Sequence, residues 1–320
     1  MSEKKAESIK VVPYDANWPI MFEAEKAVIS AALSDNCIAV HHVGSTSVPT
    51  LAAKPTIDII AVAKDRERAI TDLEKAGYTY EGKWNIPLKC GFKKRGAVGV
   101  NLHLFFDANH PEIELNLKFR DYLKAHPDVR DAYAAVKAKI LEDETSSQRV
   151  GKISFPIYTI RKRAFIDNII RDIGFDRLRV LKCATEDEWN AVKNLRQKTF
   201  FDRRKVQDPY HWTFDHPEHE HFVLYCGVEI VGYAHIQLRP EIMDAILRII
   251  VVTEENRNQG FGIQFLTIIE EWLKVHNYKI LHVETSGRPM SFYKKRGYTK
   301  MLVDDPYLDP SDTPLGKKLM

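Results

Sequence analysis

The chain has 320 residues, a length that favours two domains over one. Hydrophobic residues make up 44% of it and aromatic residues 10%, a composition that excludes a disordered protein. Its 47 Lys and Arg residues against 44 Asp and Glu residues give a net charge of +3, too small for a dedicated nucleic-acid-binding protein, so nucleic acid is not an expected partner.

Apolar periodicity in the first half predicts a series of helices and strands, the last of which ends at a glycine. Helices are predicted over 18–33, from the second strand to about 75, and over 113–125, 128–141 and 156–173. Strands are predicted over 37–40, 56–63, 87–93 and 99–106. Gly174 follows the last helix, as glycine often does at a helix C-terminus. We therefore predict a first domain over residues 1–174.

Beyond Gly174 the pattern restarts, which predicts a second domain over residues 175–320. Strands are predicted over 178–181, 222–225, 229–238, 244–252 and 279–285. Helices are predicted from a capped start at Thr185 to about 200, over 259–276 and over 289–296.

The sharpest signal of the second half is a glycine-containing turn between an apolar strand and an amphipathic helix. It consists of Arg257, Asn258, Gln259, Gly260, Phe261 and Gly262. The first N–H groups of a helix lack partners within it and carry partial positive charge, so such a turn suits a pyrophosphate. Alone, glycines at a helix start are more often packing residues, and the residues downstream decide between the two interpretations.

The second half resembles the GNAT family of acetyl-coenzyme A-dependent N-acetyltransferases. The family's pyrophosphate motif, Arg/Gln-x-x-Gly-x-Gly/Ala, is matched in order by Arg257, Gly260 and Gly262. The stretch from Ser291 to Tyr298 is similar to the family's Phe-Tyr-x-x-x-Gly-Tyr/Phe segment. The resemblance spans about 179–320 and implies acetyl-CoA as cofactor and a small-molecule or peptide amine as acceptor. It implies coenzyme binding by Ile250, Val251, Val252, Arg257, Asn258, Gln259, Gly260, Phe261, Gly262 and Ile263.

The same resemblance implies catalytic roles. Tyr293 would protonate the departing thiolate as general acid; the alternative is a half-buried aromatic residue that only packs. A backbone N–H near Ile250 or Val251 would hold the oxyanion, and the pantetheine arm would lie along that strand. Asp244 and Glu284 are the candidates for the base that deprotonates the amine, usually through water, although each is alternatively a structural carboxylate. A base is dispensable if the amine arrives neutral.

Four histidines lie between residues 211 and 221. His219 and His221 alternate, which suits metal ligands on one face of a strand. No cysteine or ordered set of carboxylates completes such a site, and Pro217 marks a loop. We therefore interpret the stretch as a polar loop that shapes the acceptor entrance. The composition of the loops over 198–221 and 304–313 does not identify the acceptor. Asp304 and Asp305 either attract a cationic acceptor or are solvated charges of the second loop.

The first half carries a long specific string, HHVGSTSVP from His41 followed by KPTID from Lys54. With the stretch 120–127 and Tyr133, this string resembles the GrpB family over about 12–173. That resemblance implies a nucleotidyltransferase-like fold. The two resemblances together imply an α+β or mixed α/β protein of two domains, the second a GNAT acyl-CoA N-acyltransferase fold with a central mixed sheet.

Nucleotidyltransferases need a Gly-Ser loop for the triphosphate and two or three carboxylates for a pair of Mg²⁺ ions. Here Asp58 matches the first carboxylate, but Ile60 occupies the second position, and the strand that would carry a third offers Asn101 and His103 instead. Catalysis with two metals is therefore not expected, although Asp58 is a candidate to help hold one Mg²⁺. A module that binds a nucleotide or another anionic ligand is the more economical interpretation. Its candidate residues, some of which alternatively only pack and hydrogen-bond, are His41, His42, Gly44, Ser45, Lys54, Asp58 and His103.

Three hypotheses of function follow. The leading one is an N-acetyltransferase with a GrpB-like partner domain. The second adds an active Mg²⁺-dependent nucleotidyl- or phosphotransferase in the first half. The third has both domains bind ligands as a non-catalytic scaffold.

We expect a cytoplasmic protein with no membrane partner. No apolar run approaches the roughly 20 residues that cross a bilayer, and the opening segment MSEKKAESIK lacks the apolar core of a signal peptide. The four cysteines form no C-x-x-C pair, which argues against a zinc site or a disulfide framework.

Overall fold

The computed structural model describes residues 9–82, 85–150, 155–202, 205–285, 287, 289–307 and 311–319. Residues 203–204 and 308–310, within the two predicted acceptor loops, lie outside the described residues. The chain divides into two compact units between Arg179 and Val180. None of the helices in the described ranges combines the length and the apolar character that a membrane crossing requires.

The N-terminal unit is built on a five-stranded sheet with the strand order β1-β2-β5-β4-β3. Its strands are β1 (Cys37–Val43), β2 (Thr56–Ala63), β3 (Thr79–Gly82), β4 (Cys90–Lys94) and β5 (Gly99–Phe105), and β6 (Arg149–Val150) and β7 (Phe155–Pro156) form a separate short pair. Its helices are α1 (Trp18–Leu33), α2 (Arg66–Lys75), α3 (Pro111–Ala125), α4 (Pro127–Leu141), α5 (Ile157–Arg161) and α6 (Arg163–Asp172). Only β2 and β5 run parallel; the other pairs in the sheet are antiparallel.

Strand β2 lies between two hydrophobic cores because its side chains alternate between the two faces of the sheet. Ile57 and Ile59 pack with Trp18 of α1 in one core. Ile60 and Val62 pack in the other core, which includes residues of α3. Asp58 lies at the start of the same strand, opposite Val43 of β1 and Asn101 of β5. The fold therefore places a carboxylate between buried core residues near the start of β2.

The C-terminal unit is built on a seven-stranded mixed sheet with the strand order β13-β14-β12-β11-β10-β9-β8. The strands are β8 (Leu178–Lys182), β9 (His219–Cys226), β10 (Glu229–Arg239), β11 (Asp244–Val252), β12 (Ile280–Thr285), β13 (Thr299–Lys300) and β14 (Thr313–Lys318). The helices are α7 (Glu186–Arg196), α8 (Phe261–Val275) and α9 (Pro289–Lys294). Strands β11 and β12 are parallel, whereas β9 to β11 form an antiparallel meander.

Helices cover both faces of this sheet. On one face, Val223 and Tyr225 of β9 pack in a core with Val192 of α7. On the other, the ring of Phe222 meets that of Trp272 on α8, with centroids 5.1 Å apart. Helix α7 begins at the predicted cap, where Thr185 and Glu188 form a capping box, and it runs on into a π-helical turn over Gln197–Phe201.

Strong apolar patterns predicted their elements closely and weak ones did not. The predicted bounds of α1, β2 and β11 are confirmed. The predicted helix over 156–173 is two helices that divide at Lys162. Strands β3, β6, β7, β13 and β14 were not predicted, because they are short or, in β14, contain Pro314 and Gly316, which have low strand propensity.

The interpretation of residues 211–221 as a polar loop is wrong for its second part. His219 and His221 lie in β9 and are buried, 6% and 2% exposed. Burial is tolerated because the imidazoles find partners: His219 Nδ1 lies 2.7 Å from His235 Nε2, and His221 Nδ1 lies 2.8 Å from the Tyr233 hydroxyl. Both partners belong to β10, so the local sequence does not reveal them.

Candidate functional site

Strands β11 and β12 separate part-way along their length. They pair from Asp244–Leu247 against Ile280–Val283, and no further pairing between them is found in the described ranges. Strand β11 continues to Val252, while β12 ends at Thr285. The backbone of β11 beyond Leu247 is therefore left to pair with something other than β12.

A β-bulge in β11 sits at this separation. His235 of β10 pairs with Ile249, but the next residue, Ile236, pairs with Leu247, so Arg248 is the extra residue. The Arg248 guanidinium donates to Gln237 Oε1 from Nε at 3.0 Å and to Asp305 Oδ1 from Nη2 at 2.8 Å. The bulge thus directs the one cation of an apolar strand toward the opening.

A cavity of about 260 Å³ adjoins the separated strands. It is lined by Arg196, Phe200, Phe201, Tyr210, Trp212, Thr213, His219, His235, Gln237, Arg248, Ile249, Glu284 and Tyr307. The π-helical turn after α7 supplies Phe200 and Phe201. Five of the other eleven lining residues are aromatic or imidazole, and Glu284 is the single carboxylate among the lining residues.

Glu284 lies on β12 directly after the last residue that pairs with β11. Burial, and then the nearby Asp305 carboxylate, raise the pKa of Glu284 to about 8, although Arg248 opposes the shift. Its Oε1 is 3.7 Å from Arg248 Nη1 and has no hydrogen-bond partner among the described residues. Glu284 is therefore a carboxyl group that loses its proton only above neutral pH and that lines a cavity.

Asp244, the other predicted base, has different surroundings. Arg239 binds its carboxylate with two contacts of 2.5 and 2.6 Å, and His282 Nε2 lies 3.2 Å from Oδ2. Asp244 is 6% exposed, and it is not among the residues that line the cavity. These contacts are those of a carboxylate that ties β10, β11 and β12 together at the closed end of the strands.

The glycine turn follows β11 and starts α8. Gly260, with φ of 83°, is the N-cap, and Asn258 is also left-handed, with φ of 62°. No described atom lies within 4 Å of where a β-carbon would stand on Gly260, so the turn faces open space. Arg257 donates from Nε to the Val252 carbonyl at 3.1 Å, while its side chain stays half-exposed. Free helix N–H groups, open space and an arginine together fit a pyrophosphate.

Tyr293 lies on α9, buried between two aromatic rings. Its ring centroid is 5.1 Å from that of Phe292 and 5.4 Å from that of Tyr298. Burial raises the pKa of Tyr293 above its ordinary value, so the hydroxyl keeps its proton at neutral pH. Tyr293 does not line the cavity.

In the N-terminal unit, the predicted loop and carboxylate are in contact. Gly44 has φ of 70°, and a β-carbon there would stand 2.9 Å from Asp58 Cβ, so glycine is required. Asn101 donates to Asp58 Oδ1 at 2.9 Å. His42 packs instead as part of the scaffold: it stacks on Phe22, its Nε2 is 3.2 Å from Thr46 Oγ1, and burial lowers its pKa to about 4.

Three lysines lie near this carboxylate, and a fourth contacts the adjacent loop. Burial raises the pKa of Asp58, while the positive charges of Lys162, Lys54 and Lys89 act to lower it. Lys137 is 1% exposed and donates to Ser45 Oγ at 3.2 Å. Burial lowers the pKa of Lys89 and of Lys162 to about 8 and that of Lys137 to about 7. Positive charge is thus in excess around Asp58, which suits an anion.

These residues do not fit a pair of Mg²⁺ ions. Ile60 is buried in the core, and His103, whose Nδ1 is 3.3 Å from Lys89 Nζ, stands where a further carboxylate would be needed. Burial holds the pKa of His103 well below its ordinary value, so the imidazole is neutral beside that lysine. Nor does any group of three His, Cys, Asp or Glu side chains in the described ranges have the arrangement of a metal site.

Comparison with known proteins identifies both halves. The family model of the GrpB protein matches residues 8–172, which is half of the chain. The chain belongs to the GrpB family. The model of the acetyltransferase (GNAT) domain matches residues 217–300. This GrpB protein therefore carries a GNAT acetyltransferase domain in its second half.

Individual relatives each match about half of the chain or less. A UPF0157 protein of Halalkalibacterium halodurans is 42% identical over 140 residues, which cover 43% of this chain and 71% of that protein. Two other curated UPF0157 proteins are matched over only 41% and 55% of their own length, so the chain spans about half of them. The crystal structure of GrpB from Enterococcus faecalis is 30% identical, covers 51% of this chain and 96% of that one, and has a TM-score of 0.44. A putative N-acetyltransferase from Lactobacillus plantarum is 20% identical, covers 45% of this chain and all of its own, and has a TM-score of 0.39.

Sequence reasoning missed several residues of both sites. Arg248 is visible in the sequence as a charge inside an apolar strand, and Lys137 as a cation at the spacing of Tyr133 and Ile140 on a buried helix face. Asp305 is not a solvated loop charge: its side chain is 1% exposed and pairs with Arg248. Tyr210 and Trp212 belong to a segment whose proximity to Tyr307 no local pattern reveals.

Proposed function

We propose that this GrpB-family protein transfers the acetyl group of acetyl-CoA to the nitrogen of an amine, in its second domain over 175–320. The observation that carries the proposal is the separation of β11 and β12, which has a cavity beside it and a helix-capping glycine turn at its end. Acetyl-CoA supplies an activated thioester. Arg257 and the N–H groups of the turn through Gly262 would bind its pyrophosphate, whereas the Ile263 N–H donates to the Gly260 carbonyl at 3.0 Å. The stretch from Ile250 to Val252, which pairs with β10 on one side but not with β12 on the other, would hold the pantetheine arm.

The residues divide the chemistry between them. Glu284, rather than Asp244, would take the proton that the amine loses as its nitrogen forms the new C–N bond, because Glu284 faces the cavity and Asp244 is held by Arg239. A backbone N–H at Ile250 or Val251 would stabilise the oxyanion. Tyr293 would give its proton to the thiolate that departs when the C–S bond breaks, since its raised pKa keeps the hydroxyl protonated beforehand.

Thermal unfolding with acetyl-CoA tests the coenzyme site. A ligand at about 100 times its dissociation constant adds roughly 2.7 kcal/mol to the free energy of unfolding. Arg257→Glu should abolish this shift because it places a carboxylate beside the pyrophosphate. Lys300→Glu, the same charge reversal at an exposed position of β13, should keep it. The absence of a wild-type shift at millimolar acetyl-CoA would refute the proposal, and binding without thiol release in the presence of amines would favour a non-catalytic scaffold.

We propose further that the N-terminal domain, over 1–174, binds an anionic ligand such as the phosphates of a nucleotide. The excess of lysines around Asp58 supports this, with Gly44 and Ser45 as the adjacent loop. Thermal unfolding with ATP should show a shift without Mg²⁺ that Lys162→Met removes and that Lys75→Met, at an exposed position of α2, retains. A shift that requires Mg²⁺ and is lost in Asp58→Asn would instead favour the nucleotidyl- or phosphotransferase hypothesis.

A further inference from the structure

Exposed aromatic side chains concentrate at one place in this protein. Among the described residues, the exposed aromatic side chains are Phe200, Tyr210, Trp212 and Tyr307, with exposures of 39–51%, and all four line the cavity beside Glu284. The ring centroid of Tyr307 is 6.4 Å from that of Tyr210 and 6.3 Å from that of Trp212. Aromatic side chains brought together from two distant segments and left uncovered form a binding wall for a flat apolar group.

The cations of this cavity are already paired. Arg196 Nε lies 2.9 Å from Asp208 Oδ2, and Arg248 is held by Asp305 and Gln237. Burial keeps the pKa of His235 well below its ordinary value, so that imidazole is neutral. A carboxylate on the acceptor would therefore lose its hydration without gaining an unpaired cation among the described lining residues.

One buried carboxyl oxygen, in contrast, lacks a hydrogen-bond donor. Glu284 Oε1 has no hydrogen-bond partner in the described ranges, with Arg248 Nη1 3.7 Å away, and Glu284 lines the cavity where β11 and β12 separate. His235 Nδ1, also in the lining, likewise has no hydrogen-bond partner in those ranges. An ammonium or amine N–H is the donor that suits a carboxyl group there. The cavity volume of about 260 Å³ equals that of roughly nine water molecules, which suits one ring on a short chain.

From these three features, and on the basis of the proposed acetyl transfer, we infer that the acceptor is a small arylalkyl amine without a carboxylate. The ring lies against the wall formed by Tyr210, Trp212 and Tyr307, and the amine nitrogen lies at Glu284. Acetylation then produces a neutral amide and releases the free thiol, with the amine's proton on Glu284.

Calorimetric titration of the full-length protein tests binding separately from turnover. The probes are 2-phenylethylamine, L-phenylalanine, which adds only a carboxylate, and n-hexylamine, which lacks the ring. We expect 2-phenylethylamine to bind at least tenfold more tightly than either. Trp212→Ala should weaken its binding at least tenfold and leave the acetyl-CoA thermal shift unchanged. Leu302→Ala, at a side chain 83% exposed that does not line the cavity, should change neither.

The outcomes separate the inference from the proposed function. Equal or tighter binding of L-phenylalanine or n-hexylamine, no measurable binding of 2-phenylethylamine, an unaffected Trp212→Ala variant, or preferential acetylation of a peptide amine would each overturn the inference. None of these results removes the acetyl-CoA shift or transfer to another amine. If acetyl-CoA gives no shift and no thiol is released with any amine, the proposed function itself fails.

Discussion

Replacement of Glu284 by glutamine is the most direct test of the mechanism. The glutamine side chain keeps the size of the glutamate side chain but cannot accept a proton. General-base catalysis contributes on the order of 10²- to 10⁴-fold, so kcat/KM for the amine should fall by a factor in that range. The acetyl-CoA thermal shift should remain, because Glu284 lies at the cavity and not in the glycine turn.

The pH dependence of the transfer rate gives a second quantitative test of Glu284. With a pKa of about 8, a carboxyl group is ionised in roughly 9% of molecules at pH 7 and roughly 91% at pH 9, so the wild-type rate should rise about tenfold on this account. Glu284→Gln should lose this rise, whereas the ionisation of the amine itself contributes equally to both proteins. The assay is thiol release from saturating acetyl-CoA with 2-phenylethylamine as the acceptor, between pH 6 and 9.5.

Asp244→Asn is the matched control, since it converts the other candidate carboxylate into an amide. It should lower the free energy of unfolding, because it breaks the paired contacts with Arg239, while it keeps the pH profile of transfer. If Asp244→Asn removes the rise and Glu284→Gln keeps it, our assignment of the base is refuted. If both variants keep the rise, no carboxylate base is needed and the amine arrives neutral.

Three further predictions concern single residues. Tyr293→Phe should lower kcat on the order of 10²-fold with the acetyl-CoA shift intact, and unchanged thiol release would remove Tyr293 from the mechanism. Gly44→Ala should destabilise the protein in urea by more than Gly77→Ala: both positions have positive φ and share a strain of about 1 kcal/mol, but only at Gly44 does the β-carbon meet Asp58, so equal losses would contradict the close contact. Burial lowers the pKa of Lys137 to about 7, so the unfolded chain binds more protons than the native state between pH 7 and 10, and the free energy of unfolding rises with pH over that window. Lys137→Met should reduce this rise in urea titrations, and an unchanged rise would show that Lys137 is not the group responsible.

Sequence motifs located the glycine turn of the candidate acetyl-transfer site but did not identify the carboxylate that lines its cavity. The glycine turn, from Arg257 to Gly262, was predictable because a helix N-terminus after an apolar strand is a local arrangement. The choice between Asp244 and Glu284 was not, since both are single acids at strand ends in the sequence. In the structure, Arg239 and His282 bind the Asp244 carboxylate, whereas Glu284 lines the cavity. Those partners are supplied by other strands.

The chain's periodicity and motifs determined the two families, the central strands and the glycine turn, because each depends on residues that are neighbours along the chain. Tertiary structure decided the rest. The bulge at Arg248, the aromatic wall from Tyr210 and Tyr307, and the lysines around Asp58 arise from segments far apart in sequence. Charge and burial at these places depend on which segments meet, and pairing across a sheet and packing between layers fix that.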